Sequence, residues 1–156
     1  MAGKEIGEVS GTDPYKQAKI RCMALLKASD KTEFQLRSRL SEDGYPPEAV
    51  EEALEYVRAY HYVDDLRYAK NYIEWRGKLK SRMQLEYELE SKGIDRELIA
   101  QAFEESQPED TAEKIRRLAQ KKRFDPETAD ETERRKFYQF LLRKGFLCSD
   151  IKKALT

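Results

Sequence analysis

The chain has 156 residues, with 30 Lys/Arg balanced by 30 Asp/Glu and a single histidine. Apolar residues make up 39 % and charged residues 38 %, against roughly 45–50 % and 25 % in an ordinary globular domain, so surface is large relative to core and a row of small modules fits better than one sphere. One histidine excludes a His-rich metal site, a zero net charge argues against a committed nucleic-acid binder, and the longest apolar run, Cys22–Leu26, is far too short to span a bilayer.

Residues 1–12 hold three of the seven glycines and little that is apolar. They read as a flexible tail, not a signal peptide, and a cytoplasmic location is expected. Asp13-Pro14 is a helix start, an N-cap followed by proline in the first turn. Ile20, Met23, Ala24 and Leu26 then predict one apolar stripe, ending near Ala28. Thr32-Glu33-Phe34-Gln35 fits a capping box and opens a helix that carries Leu36 and Leu40. Gly44 suits the left-handed residue that ends it, with Tyr45 making the accompanying apolar contact. Pro46-Pro47 open a third helix with Val50, Leu54 and Val57 on one face.

The plan repeats over 64–106. Asp64 caps a helix with Leu66, Ala69, Tyr72 and Ile73; Ser81-Arg82-Met83-Gln84 is a second capping box; Leu85, Leu89 and Gly93 follow. Asp95 caps a helix with Ile99, Ala102 and Phe103 inward, and Ser106–Pro108 breaks it. Over 107–156 a helix starts near Glu109 with Ile115 and Leu118 and breaks at Phe124-Asp125-Pro126. A helix bearing Phe137, Phe140 and Leu141 ends at Gly145, and a short last one bears Ile151 and Leu155. Ile115 lies 30 residues before its glycine, whereas Ile20 and Ala69 lie 24 before theirs.

Gly44, Gly93 and Gly145 are thus origins of one threefold pattern, 49 and 52 residues apart. Eight before each sits Leu36, Leu85 or Phe137; four before, Leu40, Leu89 or Leu141; six after, Val50, Ile99 or Ile151. A period of this size marks a repeat architecture, in which each unit buries its apolar face against its neighbours. The expected fold is all-α: a tail at 1–12 and three-helix repeats at 13–63, 64–106 and 107–156.

Catalytic constellations are missing. No two glycines lie close enough for a phosphate loop, and no serine sits in a nucleophile elbow. Asp64-Asp65 is better explained by the first turn of a helix than by a metal. His61, between Tyr60 and Tyr62, is expected to be structural or exposed. Cys22 and Cys148 both fall among apolar residues and are expected to be buried free thiols. An enzyme is not expected, and no cofactor is implied.

Charge is uneven. Residues 107–156 carry 13 Lys/Arg against 9 Asp/Glu, a net of +4, while 1–63 and 64–106 are each −2. Arg67, Arg76, Lys80 and Arg82 are candidates for contact with a protein or DNA, and so are Arg116, Arg117, Arg123, Arg134, Arg135 and Arg143. Five such side chains on single-stranded phosphates would give log K against log salt a slope of about −3.5. The competing reading is a solvated helix face balanced by Glu113, Glu127, Glu131 and Glu133. Replacing Arg116, Arg117 and Arg123 by Ala is expected to weaken partner binding with little change in melting temperature. Tyrosine is abundant; Tyr56, Tyr68 and Tyr72 are expected in the core, with interface use the alternative.

The stretch Tyr62-Val63-Asp64-Asp65-Leu66-Arg67-Tyr68-Ala69, then Tyr72, then Leu85, Leu89 and Gly93-Ile94, resembles the central signature of the RecX family. Thr32 to Leu40 with Gly44-Tyr45 resembles that family's first module. The likeness runs from about Tyr15 to Leu155, with departures at Lys27-Ala28 and at Lys80-Ser81, where members often carry an arginine and a glycine. It implies three tandem three-helix repeats in an elongated, curved rod. It implies a non-enzymatic regulator that binds the RecA recombinase and its filament on single-stranded DNA, with weak direct DNA binding in some members; a monomer that engages no membrane is expected. The alternative function is a general nucleic-acid-binding helical module.

Overall fold

The computed structural model describes residues 13–107 and 110–156. The expected tail at 1–12 lies outside them, as do Pro108 and Glu109, where a helix break and a helix start are expected. Nine helices are present among the described residues and no strand. They are α1 Pro14–Ala28, α2 Glu33–Glu42, α3 Pro47–Ala59, α4 Asp65–Arg76, α5 Arg82–Ser91, α6 Arg96–Glu105, α7 Thr111–Lys121, α8 Glu131–Arg143 and α9 Cys148–Leu155. Their order gives three triplets, as the sequence predicts. None is long and apolar enough to cross a membrane.

The described residues form two compact units: one runs up to Tyr68 and includes Lys92–Asp95, the other comprises Ala69–Ser91 and Arg96–Thr156. In the first unit, Ala18, Cys22 and Leu25 of α1 pack with Leu36 and Leu40 of α2 and with Val50, Ala53, Leu54 and Val57 of α3. This corrects the expected α1 stripe. Ile20 is 55 % exposed, and the inward face is the 18/22/25 row. Its small side chains let α3 approach closely, and close packing, not hydrophobicity alone, selects the face. Across the surface, Arg37 pairs with Glu51 and Arg58 with Glu33, each through two hydrogen bonds. Burial opposes the first pair's ionisation less than the bond favours it, so the Glu51 carboxyl titrates below its ordinary range.

In the second unit, Ile115, Leu118 and Ala119 of α7 pack with Phe137 and Leu141 of α8, Phe146, and Ile151 and Ala154 of α9. Leu79, from the α4–α5 link, joins them. Two cations of α7 hold that link from beneath. Lys114, 4 % exposed, donates to the Lys80 carbonyl at 3.0 Å, and Arg117 donates to the Lys78 carbonyl at 3.3 Å.

Helix stops share one geometry. Gly44, Gly93 and Gly145 all have φ between 86° and 94°. At Gly44 and Gly145 the next amide reaches back to the third-last helical carbonyl, Tyr45 N to Leu40 O and Phe146 N to Leu141 O, which is the expected Schellman stop. The same stop occurs without glycine at His61 (φ 60°) and Arg123 (φ 58°), with Tyr62 N on Val57 O and Phe124 N on Ala119 O, both 2.8 Å. His61 is therefore structural as well as exposed.

Capping at Asp13, Thr32 and Asp64 follows the sequence, and at Ser81 it does so in part. Thr32 and Gln35 form the full reciprocal box, and Asp64 accepts from Arg67 N at 3.0 Å. Ser81 Oγ accepts from Gln84 N at 3.1 Å, but the return bond is missing. The Gln84 amide turns instead to Glu88 Oε2 at 3.1 Å, leaving its own Oε1 buried without a partner. Glu88 also accepts from Tyr72 Oη and Lys80 Nζ, and this carboxylate draws the glutamine down the helix. A box that the sequence reading passed over, Asp130 with Glu133, opens α8.

The two capping hydroxyls do more than cap. Thr32 Oγ1 donates to the Lys92 carbonyl at 2.6 Å, within the first unit. Ser81 Oγ donates to the Lys144 carbonyl, within the second. In each case the acceptor immediately precedes the left-handed glycine of the following triplet. A Cβ on Gly93 would lie 2.1 Å from Phe34 Cβ, and one on Gly145 would lie 2.8 Å from Ser81 Oγ and 3.2 Å from Met83 Cβ. Phe34 and Met83 stand at the same place, two residues beyond the capping hydroxyl. Those glycines therefore answer two demands, a positive φ and a close neighbour.

Candidate docking surface

The basic residues divide into those held by their own chain and those left facing solvent. Arg67 donates to the His61 carbonyl at 3.2 Å and to the Tyr62 carbonyl at 3.5 Å, bracing the end of α3. Lys80 pairs with Glu88 at 2.7 Å. Burial would raise the Glu88 carboxyl, but the bonds from Lys80, Tyr72 and Gln84 outweigh it and hold the group below its ordinary range. Arg82 pairs with Glu86 at 3.0 Å and covers the Phe103 ring at 4.4 Å. Arg76 lies over Tyr72 at 5.6 Å. Arg116 pairs with Glu113 at 3.3 Å. Arg134 donates to the Ala129 carbonyl at 3.2 Å and to the Pro126 carbonyl, closing the α7–α8 loop.

Arg123, Arg135 and Arg143 are different. All three are exposed, and none of their side chains has a hydrogen-bond, ion-pair or ring partner among the described residues. Lys121, Lys136, Lys152 and Lys153 share that state. Of the ten nominated residues, six lie on α7, α8 and the stop between them, and Arg123, Arg135 and Arg143 are the ones the fold leaves for another molecule. Arg117, by contrast, holds the Lys78 carbonyl, so in the triple Ala change it is the position that also gives up a contact within the fold.

Sequence reasoning missed the aromatic half of this surface. A cleft of about 220 Å³ is lined by Lys122, Arg123, Phe124, Glu133, Lys136, Phe137 and Phe140. Phe124 stacks on Phe137 with centroids 4.3 Å apart, and Phe137 on Phe140 at 5.9 Å. Lys122 Nζ lies 4.1 Å and Lys144 Nζ 5.5 Å from the Phe140 centroid. The available signal was the 136/140/143 spacing, which puts Lys136, Phe140 and Arg143 on one helix face.

Two expectations elsewhere are corrected. Cys148 is exposed, not buried; it is the first residue of α9 and lies outside the cluster that Ile151 and Ala154 join. Tyr56 is on the surface, its ring tilted against that of Tyr60 with centroids 4.9 Å apart and Lys19 at 5.4 Å from its centroid. Tyr68 and Tyr72 are half-buried. Among the described residues no group of three His, Cys, Asp or Glu side chains could hold a metal ion.

Three domain profiles match the chain: RecX, first three-helix domain, over residues 18–56; RecX, second three-helix domain, over 64–102; and RecX, third three-helix domain, over 109–155. The regulatory protein RecX of Clostridium tetani is 28 % identical, spanning 98 % of this chain and 72 % of its own length. That of Caldanaerobacter subterraneus is 34 % identical, spanning 100 % of this chain and 82 % of its own. A crystal structure of a regulatory protein RecX matches with a TM-score of 0.77 at 28 % identity, over 99 % of this chain and 77 % of that one.

Proposed function

Because the chain belongs to the RecX family, we propose that it is a non-enzymatic regulator that binds the RecA recombinase and its filament on single-stranded DNA. Its effect is to hold back filament assembly, ATP hydrolysis and strand exchange in bacterial recombination and repair. A filament repeats its binding surface, so tandem modules can engage it at several points. Linked contacts then reinforce one another through high effective concentration. A ligand that favours one filament state draws the population toward it, and a ligand bound across neighbouring protomers restrains their rearrangement.

One observation supports the placement of the contact: cations without partners concentrate on α7, α8 and the stop between them, in the stretch that carries net charge +4. Co-sedimentation with RecA–ssDNA–ATP filaments tests it. Wild-type protein should pellet at micromolar concentration and lower the rate of ATP hydrolysis. Replacing Arg135 and Arg143 by Ala should weaken pelleting about tenfold while the melting temperature stays within about 2 °C, as exposed substitutions do. Failure of the wild type to pellet or to alter hydrolysis would discard the reading. Tight, salt-steep binding of the protein to DNA alone would favour the general nucleic-acid module instead.

A further inference from the structure

Between the α7 stop and α8 the basic surface dips into a shallow cleft with an aromatic floor and a cationic rim. Its floor is Phe137, 5 % exposed, flanked by Phe124 and Phe140. Its rim carries Arg123 and Lys136, which have no partner among the described residues. Among the described residues that line it, Glu133 is the acid, and it already accepts the Asp130 amide at 3.0 Å. At about 220 Å³ the space suits a single large apolar side chain.

Ring access separates two classes of partner. Single-stranded nucleic acids bind by stacking bases on open aromatic faces. Here Phe137 is buried, Phe124 is stacked on it, and Phe140 carries the ammonium groups of Lys122 and Lys144. Those rings offer edges and apolar floor, while the ammonium groups concentrate positive charge beside them. A guanidinium such as Arg123 fits a carboxylate through two parallel hydrogen bonds. Arg123 is also held at φ 58° by the helix stop, which fixes where its side chain leaves the backbone.

We infer that this cleft grips an acidic peptide segment of a protein partner, one large apolar side chain entering against Phe124, Phe137 and Phe140 while flanking carboxylates meet Arg123 and Lys136. The inference rests on the reading of the α7–α8 face as a docking surface, and it names the chemistry that face accepts.

The test is fluorescence anisotropy with three labelled probes on the full chain: an acidic peptide with one central phenylalanine, the same peptide with its acids changed to amides, and oligothymidylate of similar length. The acidic peptide should bind at least about tenfold more tightly than its amide counterpart. Arg123→Gly with Lys136→Ala should abolish that preference. Glycine removes the guanidinium yet suits the positive φ, so the double variant should keep or raise the wild-type melting temperature. Equal binding of both peptides, tighter binding of oligothymidylate, or full affinity in the double variant would overturn the inference. Filament co-sedimentation of the wild type separates the two ideas. If the peptide arm fails and pelleting persists, the cleft assignment falls and the regulatory reading stands; if the peptide binds and pelleting fails, the reverse holds.

Discussion

At the residue scale, a cation's sequence position says little about its job. Arg67, Lys114, Arg117 and Arg134 look like surface charges, yet each donates to backbone carbonyls of its own chain. Nothing in the spacing of basic residues distinguishes them from Arg135 or Arg143, because the deciding groups are carbonyls up to 39 residues away. Cys148 was misjudged for a related reason: apolar neighbours in sequence do not place a helix's first side chain inward. The two thiols should now behave oppositely. Burial pushes the Cys22 thiol up to about 11, so a thiol reagent should modify one cysteine in the native protein and the second only on unfolding. Rapid reaction of both would contradict the fold.

Asp65 offers a pH test at the same scale. Burial raises its carboxyl above the ordinary value; the bond from Glu33 N opposes this, and the nearby Glu33, Asp64 and Asp95 charges add to it. A raised folded value means that Asp65 contributes stability in its protonated form. That contribution is present below the unfolded pKa and lost as pH rises through the folded one. Asp65→Asn keeps an acceptor for Glu33 N and carries no charge. It should raise the melting temperature at pH 7 and leave it nearly unchanged at pH 3, whereas Asp65→Ala should lower it at both.

At the element scale, the three glycine stops and the Thr32 box were legible because each rests on neighbours within a turn. The stops at His61 and Arg123 were not, since neither residue type announces a positive φ. The longer α8 and, still more, the longer link over 122–130 explain why the third triplet's first helix sits further upstream. Thr32→Ala and Ser81→Ala should each lower stability by about 1–2 kcal/mol in urea unfolding, since each loses a cap and a buried carbonyl's donor. Gly93→Ala should cost more than the roughly 1–2 kcal/mol of its φ alone, because the added Cβ meets the Cβ and Cγ of Phe34. A loss no greater than for an exposed alanine would argue against that contact. Leu89→Ala, at a fully buried position, should cost about 2–5 kcal/mol.

At the scale of the whole molecule, the class of fold and the family were both readable, since a 49- and 52-residue period and one central signature are global properties of the sequence. The aromatic cleft was not, because Phe124 and Phe137 meet across a loop of irregular residues whose path no periodicity reports. The basic excess of the third triplet was visible, but which charges remain unengaged required coordinates.

The paired roles of Thr32 and Ser81 have a consequence for opening motions. One hydroxyl closes the start of a helix and, through its proton, the end of another about 60 residues away. Fraying at either place removes the partner of both, so the two should melt as a single cooperative event. In native-state hydrogen exchange, the amides of Gln84 and Phe146 should then report a common opening free energy, and Ser81→Ala should separate them.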